Sequence, residues 1–112
     1  TNSSVKTLNS ANKMLSGQIQ SLKNQRARLV KSQDQAQKKA FNNSIAKTTA
    51  EIAAREKLVN KDISNGLAAI RIAKKEGISP QELAKLENGV RTMQGQLATM
   101  TGNRKAIARL KL

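Results

Sequence analysis

Apolar residues in this chain recur at alternating spacings of three and four, the period of a helix that buries one stripe. From residue 5 the stripe reads Val5, Leu8, Asn12, Leu15, Ile19, Leu22, Arg26 and Leu29, with leucines at every seventh position. Near the other end it reads Leu83, Leu86, Val90, Met93, Leu97 and Met100; Arg104 interrupts it and Ile107 resumes it. Between them Ile45, Ile52 and Val59 are seven apart, with Phe41 and Thr48 in the intervening seam, and Ile63 and Ile70 continue on a shifted register. Such a shift predicts a stutter or a change of packing partner. Strand-type alternation is absent, and the sole proline is Pro80.

The pattern predicts helical segments over about 4–31, 35–76 and 80–109. The second boundary carries complete local signals. Gly77 suits a helix C-cap, Ser79 an N-cap and Pro80 the first helical position,. Glu82 completes a Ser-x-x-Glu capping box, and Ile78 with Leu83 can form a hydrophobic staple. The first boundary has two candidates, Ser32-Gln33-Asp34 and Asn42-Asn43-Ser44, because Ser, Asn and Asp all compete with helix through local hydrogen bonds. Gly89, Gly95 and Gly102 lie off the stripe and predict either close helix approach or a helix that relies on its partner for order. The expected fold is all-α: a single unit over 1–112, built as an elongated helical hairpin or three-helix coiled coil with a turn at 77–80.

Leu8, Leu15, Leu22 and Leu29, with Asn12 in the seam, resemble a leucine zipper over about 25 residues. The resemblance implies helix pairing and identifies no family. In basic-zipper transcription factors the basic region precedes the zipper; here the dense bases follow it, so that family is rejected. A short chain offers more seam than it can readily cover alone, which predicts a homo-oligomer. The expected oligomer seam is Leu8, Asn12, Leu15, Ile19, Leu22, Leu29, Leu83, Leu86, Val90, Met93, Leu97 and Met100. A seam Asn such as Asn12 can fix register at some cost in stability.

Charge changes the picture from packing to partners. The chain has 21 Lys and Arg against 7 Asp and Glu, a net charge of +14. The excess sits in two acid-free stretches, residues 1–33 and 88–112. Lys23, Arg26, Arg28, Lys31, Lys38 and Lys39 form the densest run, accompanied only by Asp34; Arg104, Lys105, Arg109 and Lys111 form the second. Unbalanced positive charge raises the local potential and attracts a polyanion. These ten residues are the expected nucleic-acid contacts. Phe41 is the one aromatic residue, so the stacking platforms of single-strand binders are missing and contact is expected with the phosphate backbone. An acidic protein bound by a helical adaptor or stalk, in a secretion or filament assembly, is the alternative. A membrane-surface helix is disfavoured, since the stripes lack the Trp and Phe anchors of such helices.

Catalytic chemistry has little to work with. There is no His, Cys or Tyr, and no glycine-rich phosphate loop,. Of the seven acids, Glu82 is claimed by the cap, while Glu51 with Arg55 and Glu56 with Lys57 read as surface pairs. No enzyme activity, metal, cofactor or small-molecule substrate is expected. No run of ~20 apolar residues is present, and the first residues, Thr-Asn-Ser-Ser-Val-Lys, do not have the apolar run of a secretory signal,. The expected setting is soluble, either cytoplasmic or within a virion or nucleoprotein assembly. Thr1 can follow a removed initiator Met, which suggests a chain near full length. The expected role is a non-enzymatic assembly protein that contacts nucleic acid without sequence preference, a small internal virion component being the first instance.

Overall fold

The computed structural model describes the backbone of residues 2–112 and the side chains from Val5 onward; Thr1, and the expectation drawn from it, lies outside the described residues. Three helices make up the described chain: α1 (Asn2–Val30), α2 (Gln35–Glu76) and α3 (Pro80–Ala108). They agree with the three predicted segments to within two residues at each end. The molecule is a rod of 66 × 18 × 17 Å.

The break between α1 and α2 falls at the first candidate. Asp34 caps α2 by accepting from the Gln37 backbone N–H at 3.2 Å, and Ser32 Oγ accepts from the Asp34 N–H at 3.0 Å. A reversal without Gly or Pro is thus built from two local side-chain bonds. Helix α2 runs unbroken through Asn42-Asn43-Ser44. There the Asn42 amide turns outward to grip the end of the chain: its Nδ2 donates to Leu112 O at 3.1 Å and its Oδ1 accepts from Leu112 N–H at 2.7 Å.

The second reversal follows its cap signals. Gly77 is left-handed at φ 75°, a conformation that favours glycine. The Gly77 and Ile78 N–H groups close back onto Lys74 O and Ala73 O at 3.2 and 3.3 Å, a Schellman-type ending. Ser79 Oγ accepts from the Glu82 N–H at 3.2 Å. Among the described residues the capping box is half made, with no return bond from Glu82 to the Ser79 amide.

Helix α2 packs antiparallel along α3, and α1 lies against α3 and touches α2 only sparsely. Two hydrogen bonds fix α1 and α3 as parallel: Asn12 to Gln96 and Arg26 to Leu110, each spanning 84 residues. With that offset α1 starts about level with Leu86. The turn-proximal parts of α2 and α3 therefore project beyond α1 as a two-helix tip.

The core is the helical stripe of the sequence, closed within one chain. Leu8, Ala11, Phe41, Ile45, Ile52, Val59, Ile63, Ile70, Val90, Met93, Met100 and Ile107 are buried, with Val5, Leu15, Ile19, Leu22, Leu29, Leu83, Leu97 and Leu110 packed around them. Of the expected oligomer seam, Leu8, Asn12, Val90, Met93 and Met100 are buried within the chain, Leu15, Ile19, Leu22, Leu29, Leu83 and Leu97 are half-buried against it, and Leu86 is 42% exposed; the buried polar Asn12 is tied to α3. The close helix approach expected at Gly89, Gly95 or Gly102 occurs at none of them: a Cβ there would meet open space. It occurs at Gly66, where a Cβ would sit 2.8 Å from Val90 Cγ2. The off-stripe glycines thus cost helix propensity without providing a contact.

Candidate nucleic-acid interface

Parallel α1 and α3 and a short α1–α2 turn have one electrostatic result. The C-terminal part of α1, the N-terminal part of α2 and the C-terminal part of α3 meet at the same end of the rod. The two basic clusters, some 70 residues apart in sequence, become one surface. Residues 23–47 and 104–112 hold Lys23, Arg26, Arg28, Lys31, Lys38, Lys39, Lys47, Arg104, Lys105, Arg109 and Lys111 against Asp34 alone, a formal +10. The remainder holds ten bases and six acids, a formal +4.

The basic side chains divide by environment. Lys23, Arg28, Lys31, Lys39, Lys105, Arg109 and Lys111 are exposed and Lys38 is half-buried. Lys47, which the sequence reading left out, is exposed on the same end. Its omission has a simple cause: it stands alone in sequence, and only the fold brings the other bases to it. Arg26 and Arg104 differ. Both occupy stripe positions and are half-buried. Arg26 Nε donates to Leu110 O at 2.9 Å, tying α1 to the end of α3. Arg104 Nε forms an ion pair with Glu56, whose side chain is only 13% exposed, and Glu56 also accepts from Thr101 Oγ1 at 2.9 Å. Glu56 therefore pairs across to α3 and not with the neighbouring Lys57.

The polar interruptions of the stripe share one logic. Asn12, Arg26 and Arg104 each meet a polar partner across the bundle: Gln96 of α3, the Leu110 carbonyl just past α3, and Glu56 of α2. Asn12 Nδ2 donates to Gln96 O at 2.9 Å and to Gln96 Oε1 at 2.7 Å, while Asn12 Oδ1 is buried without a partner. Polar seam pairs of this kind disfavour shifted registers, because a slip would leave a buried polar group unmatched.

A groove runs between α1 and α2, where those helices stand apart. At the basic end it widens into a cavity of about 550 Å³ lined by Arg28, Leu29, Phe41 and Ser44, among others. Further along it is lined by Met14, Leu15, Ile52 and Arg55. Among the described residues no group of three or more His, Cys, Asp and Glu is placed to hold a metal ion, and no helix is long and apolar enough to cross a membrane.

The fold and surface define a basic, elongated all-α bundle. Against family models, curated proteins and solved structures, the chain shows no match.

Proposed function

We infer that this protein is a non-enzymatic assembly component that binds the phosphate backbone of nucleic acid through the basic end of its rod. The observation that supports the reading is the convergence of two distant basic clusters into a surface of formal +10 with one acid. Surface pairing inside the chain leaves most of that charge uncompensated. Backbone neutralisation by Lys and Arg is favoured by counterion release and carries no sequence preference. The setting it implies is a nucleoprotein assembly, of which the interior of a virion is one case. Self-association is not required to cover the seams, so any homo-oligomer would use other surfaces, such as exposed Met14, Leu58 or Ile72.

Binding to random-sequence duplex should weaken steeply with salt. If about five phosphates are neutralised, the log–log slope is near −4.5, at ~0.9 per contact. Replacing Arg28, Lys31 and Lys39 by Gln should flatten it by about 2.7. Arg26 and Arg104 are left intact because they hold helices together. Absence of duplex binding at low salt, or a slope unmoved by the triple substitution, defeats the reading.

The α1–α2 groove favours a second reading, an adaptor that seats an amphipathic acidic helix of another protein on Leu15, Leu29 and Ile52 beside Arg28 and Arg55. In that case heparin or DNA would compete poorly with the protein partner.

A further inference from the structure

We propose that the contact begun at the basic end continues along the outward face of α2, so that the rod lies lengthwise on a nucleic-acid duplex. The inference rests on the nucleic-acid reading above and adds the face and the length of contact.

Helix α2 sorts its charges by side. Its buried residues, Phe41, Ile45, Ile52, Val59, Ile63 and Ile70, mark the side turned to the core. At about 3.5–3.6 residues per turn, Lys39, Lys47, Lys57, Lys61, Arg71 and Lys75 fall on the opposite half,. All six are exposed, and none is in an ion pair among the described residues. The four acids of α2 fall elsewhere. Glu56 faces α3 and is spent on Arg104 and Thr101. Glu51 lines the α1–α2 groove, as does Arg55. Asp62 and Glu76 stand one and three heptads after Arg55 and so share its flank,. No carboxylate of α2 therefore lies among the outward bases.

The face is long and low. From Lys39 to Lys75 it runs about 54 Å at 1.5 Å per residue, against a rod of 66 Å. That length matches about sixteen base pairs at a rise of ~3.4 Å. Between the bases stand short, exposed side chains such as Ala46, Ala50 and Ala54. They let the helix approach a row of phosphates while the long lysine stems reach past them. Neither of the other helices offers such a face. Beyond the basic end α1 has Lys6 and Lys13, and α3 has Lys85 and Arg91 beside Glu82 and Glu87.

Two double variants of the full chain test the face. Lys57→Gln with Lys61→Gln removes two charges from the outward side of α2, beyond the basic end. Lys6→Gln with Lys13→Gln removes the same charge from α1 at about the same height, since Lys6 and Met14 line one hollow with Arg55. All four lysines are exposed, and Gln matches Lys in helix propensity. Binding to a random-sequence duplex of about 24 base pairs, longer than the face, is measured against salt. Lengthwise contact predicts a log–log slope flattened by about 1.8 in the α2 variant, at ~0.9 per phosphate, and unmoved in the α1 variant. A slope unmoved in the α2 variant, or flattened as much or more in the α1 variant, overturns lengthwise contact. The basic-end reading then still stands if substitution of Arg28, Lys31 and Lys39 flattens the slope. Undetectable binding by the parent overturns both.

Discussion

The two ends of the rod are built on opposite terms. From the basic end to the middle of the rod three helices pack together, and the side chains with essentially no solvent exposure, Ile45, Met100 and Ile107, all lie in that stretch. At the turn end two helices run without α1. There Leu67, Ile72 and Leu86 are 39%, 58% and 42% exposed, and residues 67–90 hold four bases against three acids. The strongest self-repulsion therefore coincides with the part of the rod where three helices pack, beside the groove that opens between α1 and α2. The near-neutral tip needs no such support and has a thinner core. A bundle that concentrates like charge must hold it on well-packed helices, since self-repulsion opposes the compact state.

The sharpest way to break this contrast is to remove matched apolar side chains from each end. Ile107→Ala should cost about 2–5 kcal/mol, and Leu86→Ala under ~1, because only the first leaves a cavity in packed surroundings. Urea melts of the two variants test it; equal losses would mean that packing is uniform along the rod. Next in size is the inter-helix ion pair. Glu56→Ala should cost roughly 1.5–3 kcal/mol by stranding half-buried Arg104 and Thr101, whereas Glu51→Ala, at an exposed site, should change little. Addition of salt should narrow the second difference more than the first.

Glycines give a smaller and sign-reversing pair. Gly66→Ala should destabilise by about 1–3 kcal/mol, because Val90 is β-branched and cannot easily swing away from the new methyl. Gly95→Ala should stabilise by up to ~1 kcal/mol in open space. A stabilised Gly66→Ala protein would show that α2 and α3 are not in close contact there. Smallest is the cap at the tip: Ser79→Ala should cost about 1 kcal/mol, lowering the melting temperature without altering helix content at low temperature.

What the sequence made legible was local. Gly77, Ser79 and Pro80 act within one turn, so their reversal could be placed to the residue. Ser32-Gln33-Asp34 and Asn42-Asn43-Ser44 are chemically alike; in the fold the first spends its side chains on the local bonds of a reversal, and Asn42 spends its amide on the distant chain end. Heptads state that Leu15 and Leu22 must pack and are silent on whether the partner is another copy or a later part of the same chain. The ten basic candidates were visible as two clusters; their union depends on α1 and α3 being parallel, which spacing alone does not decide. Glu56 was hidden for a similar reason. Its partner Arg104 looked like a defect in the α3 stripe until the facing helix was known, although a charged interruption opposite an acid is the signal that could have linked them.

The 84-residue separation of the α1–α3 contacts also has a kinetic meaning. Helices α2 and α3 close through a turn of three residues and can zip from it, while α1 must find a partner more than two-thirds of the chain away. Contacts that close long loops form late and carry the larger entropic cost. We therefore expect the α2–α3 hairpin to assemble first and α1 to dock onto it last. In native-state hydrogen exchange the α1 amides should then open at lower free energy than those around Ile45 and Ile52. Uniform protection across all three helices would instead mark the bundle as a single cooperative unit.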